Sequence, residues 1–124
     1  MIPLAVMVGG ALGSLARWGL AMAVGRWLGQ GFPWGTVLIN IVGSFVIGWF
    51  AGLTGPAGRV AVPDAARAFV MVGICGGFTT FSSFSLQTVE LMRAGYAGRA
   101  LGNVVASVVL CLVATMVGLR VGQQ

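Results

Sequence analysis

The sequence predicts an all-α integral membrane protein with four transmembrane helices, and three observations support this fold class. Of its 124 residues, 58% are hydrophobic and only 7% are charged, whereas a soluble domain carries about a quarter charged residues. The chain contains four apolar stretches, each of about the 20 residues that a helix needs to cross the hydrocarbon core. The connections between these stretches are short. Residues 1–124 are therefore predicted to form a single four-span membrane domain.

The predicted spans are bounded by residues that suit a membrane interface. Pro33 and Trp34 begin the second span. Proline is well tolerated in the first turn of a helix, and tryptophan favours the headgroup region of the membrane. Pro63 precedes Asp64, whose carboxylate suits the positive end of a helix dipole. The four spans run from Pro3 to Leu28, from Trp34 to Leu53, from Ala65 to Met92 and from Gly98 to Leu119. Pairs of glycines four residues apart recur within them and predict close helix packing: Gly9 with Gly13, Gly48 with Gly52, Gly73 with Gly77 and Gly98 with Gly102.

The third span is predicted to be broken near Gly76-Gly77. These glycines lead directly into Thr79-Thr80-Phe81-Ser82-Ser83-Phe84, which places hydroxyl groups and aromatic rings beside the break. A broken helix persists in lipid only if its freed carbonyls and amides are buried against protein, an ion or a water-filled cavity. A packed helix with a flexible glycine kink is the alternative. The density of hydroxyl groups favours an ion site.

Charge and composition exclude several classes of function. The net charge of +5 comes from seven arginines, with no lysine or histidine. These arginines lie singly at the ends of apolar stretches, as membrane anchors do, so nucleic-acid binding is not expected. Asp64 and Glu90 are the only acids, and Cys75 and Cys111 lack metal-ligand spacing. Neither a zinc site nor hydrolytic chemistry is therefore expected, and the protein is predicted not to be an enzyme.

The arginines give almost no bias for one orientation in the membrane. Four spans place the two termini and the middle loop on one side, with Arg59, Arg67 and Arg120. The opposite side holds Arg26, Arg93 and Arg99, with Arg17 as a possible fourth. A protein without a positive-inside bias can insert both ways, and two opposed copies can pair about an axis in the membrane plane. A weak bias that still fixes one orientation is the alternative.

Polar residues at helical spacing predict a polar track through the bundle. Thr36, Asn40 and Ser44 share one face of the second span, and Asn103, Ser107, Cys111 and Thr115 share one face of the fourth. Hydrogen bonding between helices is the simpler explanation. A track with amide and hydroxyl donors and no fixed acid suits a small anion or a neutral solute. Phe81 and Phe84 would present ring edges, which are positive, to such an anion.

At these residues the chain resembles the CrcB/Fluc family of fluoride channels over essentially its whole length. Three motifs carry the resemblance: Gly9-Gly10-x-x-Gly13-x-x-x-Arg17, Gly35-Thr36-x-x-x-Asn40-x-x-Gly43-Ser44, and Gly76-Gly77-Phe78-Thr79-Thr80-Phe81-Ser82-Ser83-Phe84. The resemblance implies an antiparallel, dual-topology homodimer in the cell's inner (plasma) membrane. It also implies two fluoride pores that lower cytoplasmic fluoride passively, and a structural sodium ion at the dimer centre.

The resemblance assigns roles to individual residues. The carbonyls of Gly76 and Thr79 from each subunit would hold the sodium ion. The pore would be lined by Asn40, Thr80, Phe81, Ser83 and Phe84, and the polar track would comprise Thr36, Asn103, Ser107 and Cys111. Arg17 would have a structural role or lie in the vestibule. Two positions depart from the family pattern, since some members carry tyrosine at Asn103 and serine at Cys111.

Two other functions remain open from sequence. A small multidrug transporter is also built from four spans in an antiparallel pair, but it relies on a membrane-embedded carboxylate. The first span has no acid, and Glu90 lies near the end of the third. A structural or holin-like membrane protein would leave Asn40 unexplained.

Overall fold

The computed structural model describes residues 1–124 as four helical spans without strands. The first helix is Ile2–Leu28, the second helix is Trp34–Thr54 and the fourth helix is Ala97–Gln123. The third span, Asp64–Arg93, consists of two half-helices. All four spans are long and apolar enough to cross a membrane, so the predicted four-span architecture is confirmed. This is a multi-pass membrane protein.

The break in the third span lies at Thr79 and Thr80, beyond the glycine pair where the sequence placed it. The first half-helix ends with Gly76–Phe78, and the second half-helix is Phe81–Arg93. Thr79 has ψ 158° and Thr80 has φ −151°, so both are extended. The predicted break near Gly76-Gly77 is present a few residues further along, because Gly77 stays helical and serves close packing. A Cβ on Gly77 would lie 2.5 Å from the carbonyl oxygen of Gly10.

The first half-helix contains a long π-helical segment. It begins as an α-helix at Asp64–Arg67, continues as a π-helix over Ala68–Cys75, and returns to α-helix at Gly76. π-Helical turns are rare and occur frequently at functional sites. Nothing in the apolar pattern of this segment predicted it. The distortion leads directly into the residues that precede the break.

Glycine seams join the four spans into two pairs. A Cβ on any seam glycine would overlap the backbone of the facing helix, so each glycine allows a close approach. The first helix meets the first half-helix through Gly9, Gly13, Gly73 and Gly77. The second helix meets the fourth helix through Gly48, Gly52, Gly118 and Gly122. Three of the predicted glycine pairs are thus confirmed as packing sites. Gly98 and Gly102 are not used this way, because a Cβ on Gly98 would meet nothing within 4 Å.

The second half-helix is the least enclosed part of the bundle. None of its residues is buried, whereas each of the three long helices contains several that are.

At the opposite end of the third span, Arg67 is fixed to the second helix. Its Nη1 donates to the carbonyl oxygen of Thr54 at 2.9 Å and to Thr54 Oγ1 at 2.6 Å. This contact pairs the Thr54 carbonyl, which has no helical donor where the second helix ends.

Candidate ion pathway

The side chain of Asn40 satisfies both backbone groups of Thr80 at the break. Asn40 Oδ1 accepts from the Thr80 amide at 2.8 Å, and Asn40 Nδ2 donates to the Thr80 carbonyl oxygen at 3.2 Å. A buried backbone group without a partner costs several kcal/mol in hydrocarbon. Asn40 removes this cost for the Thr80 amide, which would donate to the Gly76 carbonyl in a continuous helix. It therefore holds the open backbone of the third span against the second helix.

The threonine hydroxyls at the break bond locally. Thr80 Oγ1 accepts from the Ser83 amide at 3.2 Å and donates to Ser83 Oγ at 3.0 Å. Thr80 is therefore the N-cap of the second half-helix. Thr79 Oγ1 donates back to the Cys75 carbonyl oxygen at 2.8 Å, which also accepts from the Thr79 amide at 3.0 Å. These bonds fix both extended residues from the two sides of the break.

The same bonds free the carbonyls of Gly76 and Thr79. In a continuous helix, the amide of residue i+4 would donate to each of these carbonyls. The Thr80 amide, which would pair with Gly76, donates to Asn40 instead. The Ser83 amide, which would pair with Thr79, donates to Thr80 Oγ1. The two carbonyls that the resemblance assigns as cation ligands are thus among those that lose their usual helical donors at the break, together with the carbonyls of Gly77 and Phe78.

A cleft of about 440 Å³ brings most of the predicted site residues together. It opens beside the break and is bordered by the second helix, both half-helices and the fourth helix. No charged residue lines it. The predicted residues on its wall are Asn40, Gly76, Thr79, Thr80, Phe81, Phe84, Ser107 and Cys111, with Ser44 of the second-span stripe also present.

The two phenylalanine rings lie side by side at the edge of this cleft. Their centroids are 5.4 Å apart and their planes are inclined by 47°. Phe84 is half-buried, whereas Phe81 is 78% exposed. Phe81 is thus one of the most exposed large apolar side chains of the spans, and the cleft is open on the side where it lies. The subunit alone does not enclose a passage here.

Four predicted site residues lie away from the cleft wall. Ser83 faces Thr80 through the hydroxyl contact described above. Thr36 is buried and lines a separate cavity of about 590 Å³ with Gln87, Glu90 and Arg99. Asn103 is fully buried and lines neither cavity. Arg17, on the first helix, is half-buried and also lines neither.

Two polar residues of the second half-helix were missed from sequence. Thr88 Oγ1 accepts from Asn103 Nδ2 at 2.8 Å and donates to the Phe84 carbonyl oxygen at 2.7 Å. Thr88 lies four residues after Phe84, and this helical spacing from a predicted pore residue could have identified it. Gln87 Oε1 is a buried oxygen that accepts no hydrogen bond. Both residues lie after Phe84, the last residue of the third motif, so the resemblance did not point to them.

Comparisons with known proteins identify the family. A family model described as CrcB-like protein, Camphor Resistance (CrcB), matches residues 4–119. The protein named fluoride-specific ion channel FluC of Opitutus terrae is 58% identical over 113 residues, which cover 91% of this chain and 86% of that relative. The protein of the same name from Rhodospirillum rubrum is 56% identical over 118 residues, which cover 95% and 92% of the two chains. The chain therefore belongs to the CrcB family of membrane proteins.

Proposed function

We propose that this protein is a fluoride channel that passes the ion passively through the cleft beside the broken third span. The observation that carries the proposal is the meeting of Asn40, Phe81, Phe84 and Ser107 around one cleft, at a backbone break, without a charged residue. The names of the relatives identify fluoride as the ion. The small multidrug transporter is disfavoured, because no carboxylate lines the cleft.

The chemistry of the cleft suits a small, strongly hydrated anion. Such an ion loses its water only where hydrogen-bond donors or positive dipoles replace it. The amide of Asn40 is a donor of this kind, because one of its two N–H groups remains after the bond to Thr80. The hydroxyls of Thr80 and Ser107 also line the cleft, where their hydrogens are bonded to Ser83 and Asn103. The edges of Phe81 and Phe84 add positive dipoles. Thr36, Asn103 and Cys111 extend these polar groups along the second and fourth helices.

A sodium ion at the dimer centre fits the groups that the break provides. Sodium is a hard cation that unwound backbone carbonyls coordinate in other membrane proteins. The carbonyls of Gly76 and Thr79 have lost their helical donors, and the chain offers no cluster of three His, Cys, Asp or Glu residues as an alternative. Two carbonyls from each subunit would hold the ion. When bound, it would neutralise the converging carbonyl dipoles and stabilise the break.

The proposal requires two subunits in opposite orientations. The cleft is open, Phe81 is exposed, and the second half-helix has no buried residue. A second subunit would cover these surfaces and enclose the passage. The near-equal arginine counts on the two sides of the spans are compatible with insertion in both orientations. The dimer would lie in the inner (plasma) membrane, where a passive fluoride pathway lowers cytoplasmic fluoride.

Fluoride efflux from liposomes tests the function directly. The purified protein is reconstituted into vesicles loaded with potassium fluoride, and efflux is followed with a fluoride electrode after valinomycin opens a path for potassium. We expect rapid fluoride release and no comparable release from chloride-loaded vesicles. Vesicles that retain fluoride as well as protein-free vesicles do would refute the proposal. Release that depends on a proton gradient would indicate a coupled transporter.

A further inference from the structure

We propose that Asn103 positions Phe84 through Thr88, and that it sets fluoride selectivity without contacting the ion. This inference rests on the proposed fluoride channel but assigns Asn103 a different role from the pore-lining residues. Its side chain is fully buried and borders neither cavity. An ion in the cleft therefore meets Ser107 and Phe84 but does not meet Asn103.

A chain of hydrogen bonds links one wall of the cleft to the other through Asn103. Ser107 Oγ donates to Asn103 Oδ1 at 3.4 Å, and Asn103 Nδ2 donates to Thr88 Oγ1 at 2.8 Å. Thr88 Oγ1 then donates to the Phe84 carbonyl oxygen at 2.7 Å. Asn103 and Thr88 each accept one bond and donate the next, so the chain runs in one direction from the Ser107 hydroxyl to the Phe84 carbonyl. Ser107 and Phe84, its two ends, both line the cleft.

The link matters because little else fixes the second half-helix. Its residues are all at least partly exposed, and Asn103 supplies the only side-chain hydrogen bond that reaches it from another long helix. Asn40 holds the backbone at Thr80, just before the half-helix begins. The half-helix is thus attached at Thr80 and at Thr88. Phe81 and Phe84 lie between these two attachments.

Breaking the second attachment would let Phe84 move relative to Ser107. A displaced ring changes the width of the passage and the direction of its positive edge, and both decide which anion passes. Removal of the link should therefore reduce fluoride flux and admit chloride. A residue that contacted the ion itself would affect the flux whether or not the Thr88 hydroxyl was present. Dependence on Thr88 therefore distinguishes a positioning residue from one that contacts the ion.

The test compares Thr88→Val and Asn103→Leu, singly and together, in reconstituted dimers. Each single change should lower the ratio of fluoride to chloride flux about tenfold, and the double variant should fall no further, because both remove one interaction. Thr88→Ser keeps the hydroxyl and should restore the parent ratio. Ser85→Ala is the matched control, since Ser85 Oγ donates to the Phe81 carbonyl oxygen at 3.0 Å without a partner on the fourth helix. Its ratio should equal that of the parent.

A readout independent of fluoride transport accompanies these measurements. With 4-fluorophenylalanine at position 84, the ¹⁹F resonance reports the surroundings of the ring in the folded protein. Thr88→Val and Asn103→Leu should shift or broaden it alike, and Thr88→Ser should not. A parent-like resonance and flux ratio in Thr88→Val would overturn the inference, as would effects that multiply in the double variant. A parent that passes no fluoride would refute the channel, while the resonance would still test the positioning.

Discussion

Asn40 and Thr80, forty residues apart in the chain, pair as two strands of a sheet would, with amide donating to carbonyl in each direction. The side-chain amide of Asn40 takes the place of a peptide group. One residue on an intact helix thereby gives the Thr80 amide the acceptor that it lacks in its own broken helix. The same side chain borders the cleft, so the amide that supports the break also faces the proposed pathway.

Substitution of Asn40 should separate these two contributions. Asn40→Asp keeps the acceptor for the Thr80 amide but sets a carboxylate against the Thr80 carbonyl and an entering anion. A like charge at about 4 Å is worth about 4 kcal/mol near a protein surface, so flux should fall about a thousandfold. Asn40→Ala removes both hydrogen bonds without adding charge and should lose about tenfold. Both variants are measured by fluoride efflux beside size-exclusion profiles. A well-folded Asn40→Asp dimer with parent flux would contradict the pore assignment.

The two phenylalanine rings should matter for their charge distribution more than for their bulk. Phe81→Ile and Phe84→Ile keep an apolar side chain but remove the positive ring edge. We expect fluoride efflux to fall at least about tenfold, with thermal stability lowered by only about 1 kcal/mol at these partly exposed sites. Phe45→Ile on the second helix, outside the cleft, is the control and should keep parent flux. Equal losses in all three variants would show that packing alone is responsible.

Bulk at Gly76 should act on the dimer and not on the subunit. A Cβ on Gly76 meets nothing within 4 Å inside the subunit, and leucine favours a helix more than glycine does. Gly76→Leu should therefore leave the helices intact and abolish the dimer, whereas Gly98→Leu, which also has space, should keep it. Chemical cross-linking and size exclusion measure both. A stable Gly76→Leu dimer would place the subunit contact elsewhere.

Sodium should stabilise the dimer through backbone atoms alone. We expect a higher melting temperature in sodium chloride than in choline chloride, by an amount equivalent to about 2.7 kcal/mol at a sodium concentration one hundred times the dissociation constant. Thr79→Ser keeps its carbonyl and should respond as the parent does. A melting temperature that is the same in both salts would argue against the ion.

Dual insertion should be visible by labelling the loop between the second and third spans. Ala57→Cys is suitable because Ala57 is exposed, whereas a Cβ at Gly58 would overlap the Leu53 carbonyl. An impermeant maleimide should label about half of the protein from each side of the membrane. The parent, whose Cys75 and Cys111 lie inside the spans, is the control. Labelling from one side only would exclude dual topology.

The sequence predicted the spans well because apolar length is a property that each segment carries by itself. It placed the break at the glycine pair because glycine is a poor helix former, yet Gly77 is helical and packs on Gly10. Which backbone a glycine faces depends on another part of the chain. The same limitation hid Gly118 and Gly122, which pack on the second helix, and the contact of Asn103 with Thr88. Hydroxyl and amide spacing indicated a polar face, but spacing alone does not show which members of that face reach a cavity.

The glycine seams also determine how this protein can vary. Every glycine codon begins with two guanines, so a single-base missense change yields alanine, valine, serine, cysteine, arginine, aspartate, glutamate or tryptophan. Each of these residues carries the Cβ that would overlap a facing backbone at the eight seam positions. Backbone cannot yield as a flexible side chain can, so even alanine must push two helices apart. At these positions nearly every missense mutation should be deleterious, and natural variants should retain glycine there while lipid-facing residues drift.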